Sequence, residues 1–117
     1  MSGRKTWMRG EGFRVYAHKA STLSFDGDDH YAYYDETTGN VHVGSNAADI
    51  MGRKAFHELG HKAFHGISYN DAVAIFGEDD VDLKEEALMC FLETKFYDLL
   101  VRNGWLKFAK PPKFDPK

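Results

Sequence analysis

Several features that would direct a chain toward particular folds or partners are scarce here. There is one cysteine, Cys90, so no disulfide can form within the chain, which fits a reducing compartment. No apolar run approaches the length of a membrane span. The stretch Met1–Trp7 lacks the apolar segment of a secretion signal. Both absences lead to the expectation of a cytoplasmic protein with no membrane partner. Positive charge is not in excess: the formal net charge is -3 with neutral histidines. The one basic cluster, Arg4, Lys5 and Arg9, reads as a solvated end. No nucleic-acid partner is expected, because neutralising phosphates needs clustered Lys and Arg. Internal repeats and low-complexity segments are also missing.

What is present is a chain of 117 residues, 43% hydrophobic and 15% aromatic, which suits one packed domain over residues 1–117 with a modest core. The first 45 residues read as strand and turn. Phe13–Ala17 alternates as a strand does, and Tyr31–Tyr34 and Val41–Val43 flank the turn signal Thr37-Thr38-Gly39-Asn40, as in a hairpin. Asp26-Gly27-Asp28-Asp29 reads as a turn rather than a calcium loop. From about Asn46 the period becomes helical. Ser45 or Asn46 is the expected cap of a helix to about His65, with Gly66 at its end. A short helix from Asn70 to Phe76 follows, capped by Ser68 and stopped by Gly77. A long helix then runs from near Leu83 to Arg102, with Gly104 as its terminator. The proline-bearing tail, 111–117, is expected to be loose. Strands first and helices later predict an α+β fold: a small antiparallel N-terminal sheet packed on two helices.

The chemistry concentrates in His57-Glu58-Leu59-Gly60-His61, which fits H-E-x-x-H. Residues four apart on a helix share a face, so two imidazoles can converge on one tetrahedral Zn²⁺. Glu58 projects about 100° around the helix, toward a water that the metal activates, where it can accept and pass on a proton. The competing reading is a surface helix that happens to carry two histidines. Context favours the metal. Phe56, Gly60, Ala63 and Phe64 form an apolar arc, and His57 and His61 lie at its edge, where a cleft floor belongs. Gly60 weakens the helix relative to Ala, which suggests close approach by another element.

A catalytic zinc usually takes a third protein ligand. The metzincin extension is absent, since Phe64 and Ile67 stand where it needs Gly and His. His65 lies about 12 Å of axial rise from His57, too far to share a metal. No histidine follows it, so a downstream ligand must be acidic: Asp71, Glu78, Asp79, Asp80, Asp82, Glu85, Glu86, Glu93 or Asp98. The long helix is expected to bury Leu88, Met89, Leu92, Phe96 and Leu99. Glu85 lies one turn before Leu88 and Met89 on that face, where a carboxylate needs a partner. Glu86 points toward the side of Cys90, Glu93 and Tyr97. Glu85 is the expected ligand and Glu86 the alternative.

Two histidines and a later helical glutamate make the gluzincin pattern. The stretches Val41–Ser45, Ala55–His65 and Glu85-Glu86-Ala87-Leu88-Met89-Cys90-Phe91 resemble the ImmA/IrrE family of small metallopeptidases. The resemblance spans roughly residues 40–100. It departs from the family at Leu88 and Met89, where an alanine and a small polar residue are usual. It implies a minimal zincin-like fold, zinc held by His57, His61 and Glu85, Glu58 as the catalytic residue, and cleavage of an intracellular protein, often a transcriptional repressor.

The remaining candidates are weaker. Cys90 is expected to be a buried, inert thiol. His42 faces opposite to Val41 and Val43 and is expected on the solvent side. His18 and His30 read as surface residues. Tyr69 and Tyr97 are candidate donors to an oxyanion, and Val41–Val43 is a candidate strand for pairing with an extended substrate. The function expected is hydrolysis of peptide bonds by a zinc metallopeptidase. The alternative is a binding or regulatory protein, of a phage-effector kind, that uses a zincin fold without turnover.

Overall fold

A computed structural model describes residues 3–114, the side chain of Tyr69 excepted. The fold is α+β. Among the described residues six strands, β1 (Arg4–Gly10), β2 (Phe13–His18), β3 (Leu23–Phe25), β4 (Asp28–His30), β5 (Ala32–Asp35) and β6 (Asn40–Gly44), precede the helices. α1 is Ala48–His65 and α2 is Tyr69–Phe76. α3 (Val81–Phe91) continues through a π-helical turn (Leu92–Phe96) into α4 (Tyr97–Arg102).

The main sheet has the order β1-β2-β6-β5. Its outer pairs are antiparallel, but β2 and β6 run parallel, so the sheet is mixed rather than antiparallel as expected. The parallel pairing arises because the chain spends residues 19–39 on β3, β4 and β5 before returning beside β2. The expected hairpin is β5–β6, with Gly39 at positive φ in its turn. β3 and β4 form a separate hairpin whose two central residues, Asp26 and Gly27, both take positive φ.

One sheet face builds the core. Val15 and Ala17 of β2 and Val41 and Val43 of β6 pack with Trp7, Ala32, and Met51 and Ala55 of α1. β1 adds to it through a register shift between Thr6 and Met8, which lets both Trp7 and Met8 join the core side. The C-terminal segment is docked there too, contrary to expectation for 111–114. The Trp7 indole donates to the Ala109 carbonyl, Lys5 Nζ donates to the Lys113 carbonyl, and Phe114 packs on the core. Residues 115–117 of the expected loose tail lie outside the described residues.

Helix limits follow local chemistry. Ser68 caps α2 by accepting from Asp71 N–H, and Gly77 (φ 84°) and Gly104 (φ 73°) stand at the expected stops. The α1 cap differs. Ala47 occupies the position, because Ser45 Oγ is donated to the His18 carbonyl and Asn46 Oδ1 accepts from the adjacent Ala47 N–H.

The buried face of the long helix is turned from the one expected. It keeps Met89, as expected, but adds Glu93 and Tyr97, whereas Phe96 and Leu99 are 40% and 49% exposed. Two glycines of α1 explain this. A Cβ on Gly60 would sit 2.3 Å from Met89 Sδ, and one on Gly52 would sit 2.2 Å from Tyr97 Oη. Those notches, eight residues apart on one side of α1, receive Met89 and Tyr97. A straight α-helix would carry Tyr97 about 80° around from Met89. The wider π turn lies between them and changes that angle.

Candidate metal centre

α1 and α3 bring three side chains to a point. His57 Nε2 and His61 Nε2 are 3.2 Å apart, and Glu86 Oε1 lies 3.0 Å from the first and 2.7 Å from the second. The opposite ring nitrogens are also engaged. His57 Nδ1 is 2.6 Å from Glu93 Oε1, and His61 Nδ1 is 2.6 Å from Glu85 Oε2. In the tautomer that carries the proton on Nδ1, each ring donates to the carboxylate behind it. In that tautomer both Nε2 lone pairs face the same Glu86 oxygen; with a proton on Nε2 the ring donates to Glu86 instead. With the lone pairs so placed, three acceptors meet, and a bound metal ion would relieve their repulsion as a proton on Nε2 does.

The donor set fits a zinc-like ion. Two imidazole nitrogens and one carboxylate oxygen are ordinary zinc donors, and tetrahedral bonds of about 2.0–2.1 Å place ligand atoms about 3.4 Å apart. The observed separations, 3.2, 3.0 and 2.7 Å, are shorter, so the three side chains would spread slightly to admit the ion. Among the described residues His57, His61 and Glu86 form one group able to hold an ion; His57, Cys90 and Glu93 form another. The second group competes with the first for His57, whose Nδ1 is already held by Glu93.

The third position therefore differs from the sequence expectation. Glu85 does not face the gap between the histidines; it holds the outer nitrogen of His61. Glu86 fills the gap because α3 buries the side carrying Met89 and Glu93, one and two turns further along from Glu86. Glu93, only one of many acidic candidates in the sequence, is a centrepiece: 8% exposed, it joins His57 to Lys54, 3.1 Å from its other oxygen. Its spacing of seven from Glu86 is the signal that could have marked both.

Glu58 lies beside the pair, with its carboxylate 3.9 Å from His57 Nε2. Burial raises its pKa, against the opposing charges of His57 and His61. For His61, burial acts to lower the pKa, but the hydrogen bonds to Glu85 and Glu86 outweigh it and the pKa is raised. For Glu86, burial acts upward and is outweighed by His57 and by both imidazole hydrogen bonds, so the pKa is lowered.

The three groups and Glu58 line a cleft of about 800 Å³ walled by β3–β5 and α3. His65 is at its rim, paired with Glu36 at 3.2 Å and edge-on to Tyr34. Tyr97 is not in the cleft; it packs on Phe56 and Phe108. Tyr69 as an oxyanion donor lies outside the described residues. β6 has no edge to offer a substrate, being paired on both sides, whereas β5 is an edge strand and its Tyr33 and Tyr34 line the cleft. Cys90 is exposed, not buried, because α3 turns it out past Glu86, to which its Sγ donates at 3.7 Å. His42 is 5% exposed rather than solvated: it is stacked between Tyr16 and Tyr33 and shares a 2.8 Å hydrogen bond with His18.

No family model, no curated protein and no solved structure matches this chain. Among the described residues, no helix is long and apolar enough to cross a membrane.

Proposed function

We propose that the protein is a zinc-dependent peptidase of the gluzincin type, with His57, His61 and Glu86 as the metal ligands and Glu58 as the catalytic residue. The observation that carries this reading is the meeting of two imidazole nitrogens and one carboxylate oxygen, each imidazole held from behind by its own carboxylate. Hydrogen-bonded carboxylates of that kind fix the tautomer and aim of metal-binding histidines. Bound zinc supplies a Lewis acid that makes water a nucleophile near neutral pH.

The chain's own residues do the rest. Glu58, buried beside His57 with a raised pKa, takes the proton from the attacking water and delivers it to the leaving amine. A purely structural site would have no use for it. An extended peptide has a place along the outer edge of β5, where backbone groups can pair with it. Carboxylates line the cleft, among them Asp26, Asp28, Asp29, Glu36 and Asp82, so a basic peptide segment is the favoured substrate.

Metal analysis of protein purified without chelators tests the site. One zinc per chain is expected, lost in His57→Ala and in Glu86→Gln. Glu58→Gln should keep the metal while abolishing hydrolysis of a quenched basic peptide. Stoichiometric zinc in both His57→Ala and Glu86→Gln would sink the proposal.

A further inference from the structure

The sheet face opposite α1 carries positive charge that the cleft chemistry does not use. Val15 and Ala17 point into the core, so Arg14, Tyr16 and His18 of β2 stand on the other face. The irregularity between Thr6 and Met8 returns Arg9 to that outer face, directly opposite Arg14. Two like charges placed across neighbouring strands destabilise the pairing. Among the described residues, neither Arg9 nor Arg14 has a carboxylate within salt-bridge distance. Arg53 and Lys54, by contrast, each have one.

A third guanidinium is close by. Arg4 lies 4.0 Å over the Tyr16 ring, and Arg14 Nη1 donates to Tyr16 Oη at 3.5 Å. The Arg14 hydrogen bond holds the Tyr16 phenol below its ordinary pKa, against burial and with help from the charges of Arg4, Arg14 and Arg9. Arg14 thus contacts the phenol oxygen, Arg4 lies over the ring, and Arg9 stands opposite Arg14 on the neighbouring strand. Between the β1–β2 and β5–β6 turns is a cleft lined by Arg9, Gly12, Arg14, Tyr16, Thr38 and Asn40. Asn40 Oδ1 accepts from Arg14 N–H, which leaves its amide NH₂ as a donor. The cleft is rich in donors, and among the described residues its lining includes two cations and no carboxylate.

We propose that this cleft binds a phosphate group, as a monoester or a diphosphate, with Arg9 and Arg14 as a two-pronged clamp and Tyr16 and Asn40 as neutral donors. Guanidinium forks match the oxygens of a phosphate, and two of them match a dianion. The ligand is small rather than a nucleic-acid strand. Bases bind single-strand platforms through open ring faces. Here the rings of Tyr16, His42, Tyr33 and Phe25 are stacked on one another at 5.2, 4.6 and 4.1 Å, with Arg4 over Tyr16.

Calorimetric titration with inorganic pyrophosphate and with O-phosphoserine, at constant ionic strength, tests this. Saturable one-to-one binding is expected, weakened about tenfold or more by Arg9→Gln or Arg14→Gln and unchanged by His57→Ala. The His57 variant separates this site from the cleft on the other side of the sheet, since pyrophosphate also binds metals. Both arginine variants should be at least as thermostable as the parent without ligand, because each relieves the Arg9–Arg14 repulsion. The proposal is overturned if the parent shows no saturable binding, if the arginine variants bind undiminished, or if His57→Ala abolishes binding. It is equally overturned if a single-stranded oligonucleotide binds more tightly than pyrophosphate through the same arginines.

Discussion

Glu85 and Glu86 are neighbours in sequence with different work to do. Glu86 completes the convergent trio, while Glu85 and Glu93 hold the histidines from behind. Graded losses should follow. Glu86→Gln is expected to remove zinc altogether, whereas Glu85→Gln and Glu93→Gln should weaken it by about 10–100-fold, read by competition with a fluorescent chelator. Equal losses in all three would contradict the assignment. His42 sets a separate, pH-dependent term. Burial first, then the charges of His18 and Arg4, push its pKa down to about 4 from 6.5. Between those values the unfolded chain binds the proton and the folded one does not, so stability falls as pH drops from about 6.5 to about 4. The loss is on the order of 2 kcal/mol, discounted for solvent near the His18–His42 pair. Urea midpoints measured across this range should slope with pH in the parent and flatten in His42→Phe, which keeps the stack.

At the scale of elements, the contact between α1 and the long helix decides the site. Gly60 and Gly52 let Met89 and Tyr97 approach, with the π turn between the two contacts. Ala is the better helix former by about 1 kcal/mol. Gly60→Ala should nevertheless destabilise the protein, by about 1–3 kcal/mol, because Met89 is fully buried and its sulfur would have to move. It should also weaken zinc binding, since pushing α3 outward withdraws Glu86 from His57 and His61. A gain in thermal midpoint with unchanged zinc affinity would disprove the notch.

The whole molecule separates its charge. The cleft side carries carboxylates from β4, α3 and the loops, while the opposite sheet face carries Arg4, Arg9 and Arg14. A net charge of -3 conceals this polarity. Peptides rich in Lys or Arg should therefore be cleaved with higher kcat/KM than acidic ones of equal length, and the difference should shrink as salt rises from about 0.01 to 0.5 M. A salt-independent ratio would locate the selectivity elsewhere.

Much was legible along the chain because it depends on local spacing. The helix carrying His57, Glu58 and His61, the β5–β6 hairpin, the Ser68 cap and the stops at Gly77 and Gly104 each follow from residues within a few positions of one another. Gly60 even announced a close neighbour without naming it. What the order of residues left open was rotation and pairing. Counting apolar residues favoured a face with Leu88, Met89, Leu92, Phe96 and Leu99; α3 keeps Met89 but seats it with Tyr97 in the glycine notches of α1, and that rotation turns Glu86 rather than Glu85 toward the gap between His57 and His61. The parallel pairing of β2 with β6 joins segments more than twenty residues apart, and it buries His42 in an aromatic stack that alternation alone placed in solvent. The sequence determined which residues could meet a cation. Only packing between distant elements decided which of them do, because a helix can turn its faces at little local cost while a buried contact such as Met89 on Gly60 admits one orientation.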